Sequence, residues 1–134
     1  MDRLKVLLAD DHDGFRRTVA GFLSLQQGVE VVAEAVDGNE AIEQTVRHRP
    51  DLVLIDINMP YRSGLEAAQA IKAQLPLTKV VIVSLNAGET YRHMAQQHCA
   101  DYFIDKASMK SSLLLIVSGL LSGTSNTLAG AHAV

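Results

Sequence analysis

Strand-length apolar runs recur five times along this chain, each followed by a segment of helix length, and that alternation constrains the fold more than anything else. The runs are "LKVLLAD" (4–10), "VEVVAEAV" (29–36), "DLVLIDI" (51–57), "KVVIVSL" (79–85) and "DYFID" (101–105). The first, third and fourth are nearly continuous in Val, Ile and Leu, as in parallel strands covered on both faces. The second alternates, as an edge strand does. Between them, "GFRRTVAGFLSLQ" (14–26) carries Phe15, Val19, Phe22 and Leu23 at helical spacing, with Arg16 and Arg17 placed off that stripe. "GNEAIEQTVRHR" (38–49) and "GLEAAQAIKAQL" (64–75) are amphipathic, "GETYRHMAQQHC" (88–99) weakly so, and "SMKSSLLLIVSGLL" (108–121) is strongly apolar. Pro50 and Pro76 punctuate helix-to-strand passages. Strand and helix in regular alternation predict an α/β fold, a doubly wound parallel sheet of five strands built from right-handed βαβ units.

The 134 residues suit one domain with one core. A hydrophobic share of 48% against 20% charged is globular rather than disordered composition. The net charge of −3 gives no support for nucleic-acid binding by this chain. A single cysteine, Cys99, cannot close an internal disulfide; it is expected as a small buried apolar side chain in a cytoplasmic protein. No stretch reaches the roughly 18 apolar residues of a membrane span, so no membrane association is expected. The domain is expected over 1–122, with 123–134 a flexible tail.

Ligands of an open parallel sheet bind beyond the carboxyl ends of its strands. The first strand ends in Asp10 and Asp11, the third in Asp56, the fourth in Ser84, and the fifth in Asp105 and Lys106. If the first and third strands are neighbours, three carboxylates converge. Two charges ~4 Å apart at an effective dielectric near 20 repel by roughly 4 kcal/mol. Such a cluster calls for a cation, and hard oxygen donors with few protein ligands suit Mg²⁺. A divalent ion, a lysine, a hydroxyl and one carboxylate as nucleophile make a phosphoryl-transfer site.

In that order and spacing, "LLADDHDGFR", "DLVLIDINMPYRSGLE", "VVIVSL" and "DYFIDK" resemble the receiver domain of two-component response regulators, over residues 4 to about 121. The wording "DDHDGFR" and "MPYRSGLE" is most similar to the branch whose full-length members often carry a helix-turn-helix DNA-binding domain. The resemblance implies a flavodoxin-like (βα)5 fold with strand order 2-1-3-4-5. It implies Asp56 as phosphoacceptor and Mg²⁺ held by Asp10, Asp11, Asp56 and the backbone carbonyl of Asn58. Ser84 and Lys106 would contact the phosphoryl group, Phe103 would be the aromatic switch, and Pro60 and Gly64 would shape the loop after Asp56. A sensor histidine kinase is the implied partner. The fourth helix, fifth strand and fifth helix are the implied surface for homodimerisation or output.

Leu85 stands where the family often has a small residue, and is expected to narrow access. Ala107 replaces a frequent proline, which disfavours a cis bond before it. Phe103 lacks the hydroxyl of the commoner tyrosine, and Tyr102 is expected on the opposite sheet face. Asp13 is expected to cap the first helix and Ser108 the fifth. His12, His48, His93, His98 and His132 have no metal-ligand spacing, and His12 is expected to point away from the acids. Arg47, His48 and Arg49 suit a helix C-terminus. Two other functions remain open. One is an aspartyl-phosphate phosphatase, against which Asn58 stands where a second acid would be needed. The other is a receiver-like interaction module that never takes phosphate.

Overall fold

The computed structural model describes residues 3–85, 88–123 and 132–133. The apolar runs become β1 (Leu4–Ala9), β2 (Val29–Ala35), β3 (Leu52–Asp56), β4 (Lys79–Ser84) and β5 (Tyr102–Asp105). The intervening segments become α1 (Asp13–Ser24), α2 (Gly38–His48), α3 (Gly64–Gln74), α4 (Glu89–Gln97) and α5 (Met109–Ser122). The five strands are parallel in the expected order, β2-β1-β3-β4-β5. The alternating strand β2 takes an edge. On the far edge a sixth strand, β6 (His132–Ala133), pairs antiparallel with β5. Of the tail expected at 123–134, Gly123 ends α5 in the left-handed region (φ 75°), and the remainder apart from β6 lies outside the described residues.

Strand alternation divides the interior in two. Leu4, Val6, Leu8, Leu52, Leu54, Val81, Val83, Tyr102 and Ile104 face α1 and α5. Leu7, Ala9, Val53, Ile55, Val80, Ile82 and Phe103 face α2, α3 and α4. Tyr102 and Phe103 therefore lie on opposite faces, as strand geometry requires. Each fully buried Leu or Ile contributes about 1.5–3 kcal/mol by leaving water, so β3, fully buried from end to end, anchors its terminal residue firmly.

The helix ends explain how the chain turns. Asp37 caps α2 through the Glu40 amide, and Ser63 with Glu66 closes a capping box on α3. Arg49 ends α2 with φ 47°, just ahead of Pro50. One expected cap is corrected and one holds its position. His12, not Asp13, holds the cap position of α1; Asp13 is the first helical residue and its carboxylate pairs with Arg16 at 2.8 Å. Ser108 holds the cap position of α5 as expected, without a capping bond from its side chain. A 3-10 turn over Lys106–Ser108 leads into that helix, and Asp105 caps the turn through the Ala107 amide. Cys99 is also corrected: it is exposed, with φ 68°. The turn from α4 into β5 needs a left-handed residue there, which swings the side chain outward while Ala100 is buried. Among the described residues no helix is long and apolar enough to cross a membrane.

Candidate functional site

The register of the sheet assembles the site. Ala9 lies opposite Ile55 across β1 and β3, so Asp10 and Asp56 emerge side by side at the carboxyl edge. Both continue the alternation of Leu8 and Leu54 and so face α1 and α5. There they share a small cavity with Leu8, Phe15, Leu54, Val83 and Met109. Asp10 and Asp56 are each 5% exposed. Lys106, just past β5, reaches across to Asp10 Oδ2 at 3.1 Å and Asp56 Oδ1 at 3.5 Å. Its ammonium sits 4.4 Å from the centroid of the Phe15 ring, which holds the charge by a cation–π contact.

Asp56 has its carboxyl pushed above the ordinary carboxylate range. Burial is the main cause and the Asp10 charge the second, and together they outweigh the Lys106 ammonium. One carboxylate oxygen each from Asp10, Asp11 and Asp56, with a ring nitrogen of His12, lie within 4.8 Å of one another. Three hard anionic oxygens in so small a space are the donor set that fits a divalent cation of the Mg²⁺ type. Asn58 is exposed in the loop directly after Asp56 and Ile57.

That loop is tightly built. The Ile57 amide donates to Val83 O, and the Gly64 amide returns to Ile57 O at 3.0 Å. A Cβ on Gly64 would run into the Asp56 carbonyl oxygen, so only glycine lets α3 start this close. Pro60 opens the turn by accepting from the Arg62 amide, with Tyr61 between them at φ 67°. Ser84 is fully buried at the end of β4. By strand alternation it shares the face of Phe103, which is buried in the same core as Ile82 and Ala95, with Met94 packed against that core. Leu85 is 76% exposed, so little of its surface is spent covering Asp56.

Three features were not visible in the chain. His12 was expected to point away; instead its Nδ1 lies 3.1 Å from Asp10, 3.3 Å from Asp11 and 3.9 Å from Asp56. As the cap residue it is extended (φ −89°, ψ 100°), which turns the ring back over the acids. Arg16 was placed off the apolar stripe, yet it is 8% exposed. It stands three residues before Val19 and seven before Leu23, which puts it on their face. Its guanidinium donates to the Asp10 carbonyl at 2.7 Å, to Glu34 at 2.8 Å and to Asp13 at 2.8 Å, tying the end of β1 to β2 and α1. Phe15 was read as helix core, and its packing under Lys106 had no sequence signal.

A doubly wound sheet whose carboxyl edge gathers an acid pair, a buried aspartate and a lysine defines a receiver-type domain. Residues 6–118 match the response regulator receiver domain, and the chain belongs to that family. It is 35% identical over 121 residues to the oxygen regulatory protein NreC of Staphylococcus haemolyticus, covering 90% of this chain and 56% of NreC. It is 33% identical over 104 residues to the transcriptional regulatory protein DegU of Brevibacillus brevis, covering 77% of this chain and 44% of DegU. A two-component response regulator of the LuxR family from Aurantimonas sp. SI85-9A1 superposes with a TM-score of 0.84 at 26% identity, over 92% of this chain and 88% of that one. The chain thus spans about half the length of the curated relatives it matches.

Proposed function

We propose that this domain is a phosphorylation-driven switch, with Asp56 as the phosphoacceptor. The observation that carries the reading is Asp56 itself: a nearly buried carboxylate at the end of a rigid strand, flanked by Asp10 and bridged by Lys106 at 3.5 Å. Asp10, Asp11, Asp56 and the backbone carbonyl of Asn58 would hold Mg²⁺. When bound, Mg²⁺ offsets the negative charge on the transferring phosphoryl oxygens. An Asp56 oxygen attacks the phosphorus of a phosphohistidine on a sensor histidine kinase. The new O–P bond forms as the N–P bond breaks, and the bonding pair returns to the imidazole of the kinase. Lys106 holds the equatorial oxygens by charge-assisted hydrogen bonds.

The acyl phosphate carries about one more negative charge than the carboxylate and adds acceptor oxygens. Ser84 turns toward those oxygens, and Phe103 repacks into the room this leaves. The surface of α4, β5 and α5 changes accordingly and controls homodimerisation or docking of an output partner. Leu114 and Leu115, each 37% exposed on α5, extend that helix's apolar surface beyond the core. On this reading the domain acts in the cytoplasm, assists only its own phosphorylation and dephosphorylation, and contacts no nucleic acid itself. In a longer regulator its output would be transcriptional, as the name of DegU indicates for that relative.

Incubation with acetyl phosphate and Mg²⁺ followed by intact-mass measurement tests the reading. A phosphoryl mass gain that Asp56→Asn abolishes is expected. No gain in the unsubstituted chain favours the inert interaction module instead, and steady turnover of a small phosphate ester favours the phosphatase.

A further inference from the structure

The proposed metal set consists of oxygens alone, yet an imidazole stands within 4 Å of all three carboxylates. His12 Nδ1 stands 3.1 Å from Asp10 Oδ1, 3.3 Å from Asp11 Oδ1 and 3.9 Å from Asp56 Oδ2. Neighbouring ligands of a six-coordinate ion with bonds near 2.1 Å stand about 3 Å apart. The first two separations fit donors sharing one cation, and the shorter one is also a hydrogen-bond distance between Nδ1 and Asp10 Oδ1. The ring is also held in place. The His12 amide donates to Asp10 Oδ1 at 2.8 Å, and the extended cap conformation of the residue points the side chain over the site. The side chain remains 64% exposed, leaving the site open to solvent on that side.

Resting on the reading that the carboxylates hold a divalent cation, we propose that His12 Nδ1 is a further protein donor to that ion. Its consequence is selectivity. Imidazole favours borderline first-row ions, whose affinities rise from Mn²⁺ toward Cu²⁺, whereas Mg²⁺ prefers oxygen and keeps its waters. A site with one nitrogen donor therefore binds Co²⁺ or Mn²⁺ more tightly than its carboxylates alone would, with little gain for Mg²⁺. Lys106 keeps its contacts to Asp10 Oδ2 and Asp56 Oδ1, so the oxygen that His12 faces on Asp10 is the other one, Oδ1.

The test is calorimetric titration of the chain with Co²⁺ and with Mg²⁺, together with pulsed electron paramagnetic resonance of the Mn²⁺ complex. His12→Ala is expected to weaken Co²⁺ binding by about tenfold or more while Mg²⁺ affinity changes less than about twofold. The ¹⁴N coupling seen in the Mn²⁺ spectrum of the unsubstituted protein should vanish in the same variant. Equal weakening of both ions, or no nitrogen coupling, overturns the proposal, since His12 Nδ1 then acts only through its 3.1 Å hydrogen bond to Asp10 Oδ1. Asp11→Asn separates this from the carboxylate reading. Loss of both ions in Asp11→Asn keeps the oxygen site even where His12 fails, and unchanged binding of both ions in Asp11→Asn removes the site and the proposal together.

Discussion

Asp56→Asn should make the metal-free domain more stable, although it deletes a salt-bridge partner. The Lys106 ammonium is 3.5 Å from Asp56, an attraction of about 5 kcal/mol at an effective dielectric near 20. Oxygens of Asp10 and Asp11 lie within 4.8 Å, and each repels Asp56 by at least about 3.5 kcal/mol on the same footing. Together the repulsions exceed the attraction by about 2 kcal/mol, and desolvation of a nearly buried carboxylate adds to the penalty. Asp11 has a side chain 36% exposed, so solvent screens its share, and about 1–2 kcal/mol of relief remains. For a domain of this size that is a rise of about 3–8 °C in Tm at neutral pH with the metal chelated.

The pH dependence follows from the raised carboxyl of Asp56. The folded state takes up the proton at a higher pH than the unfolded chain, whose ordinary value is 3.8. Ionisation therefore destabilises the fold fully above the raised folded value, and not at all below 3.8. The advantage of Asp56→Asn should shrink as pH falls through that interval. Saturating Mg²⁺ should reverse the order by stabilising the unsubstituted protein more than the variant, which lacks one of the proposed carboxylate ligands. Thermal unfolding followed by circular dichroism, with chelator or with Mg²⁺, measures all three arms. An asparagine variant that melts below the unsubstituted protein in chelator at pH 7, or a difference that ignores pH, would refute the reasoning.

Two other outcomes follow from the packing. Gly64→Ala should cost about 2–3 kcal/mol in urea unfolding, because its Cβ meets the backbone oxygen of Asp56 rather than a yielding side chain. A cost below about 0.5 kcal/mol would mean that the start of α3 can retreat. Arg16→Met keeps the buried stem but removes the donors to the Asp10 carbonyl, Glu34 and Asp13, and should cost about 2 kcal/mol. Its hydrogen-exchange signature should be faster opening at the β1–β2 edge, and unchanged protection there would show that the guanidinium is not a clamp.

Hydrophobic runs announced the strands because both sheet faces are covered, and burial leaves a continuous record in Val, Ile and Leu. The same runs set Asp10, Asp56 and Lys106 at strand ends, so their convergence was legible once strand adjacency was granted. Charge partnerships between distant elements leave no such record. Arg16 sits on the apolar face of α1, but nothing in its neighbours names Glu34, eighteen positions on, as the group it meets. His12 depended on one backbone choice, an extended residue ahead of α1, that many residue types could make. Cys99 misled for a related reason. Its exposure comes from a left-handed turn that glycine would ordinarily occupy, and a cysteine there looks like core.

Asp56 and the lysine contact lie on the α1 and α5 side of the sheet, whereas Ser84 and Phe103 belong to the α2, α3 and α4 side. On the proposed function the sheet is thus a wall between two rooms, one for chemistry and one for reading the result. On that reading the two rooms meet at the wall's upper rim, where Asp56 of β3 lies opposite Val83, next to Ser84 at the end of β4. Substitutions deep in either room can alter one task without rewriting the other, so how fast such a domain is charged and what it says when charged are free to diverge separately.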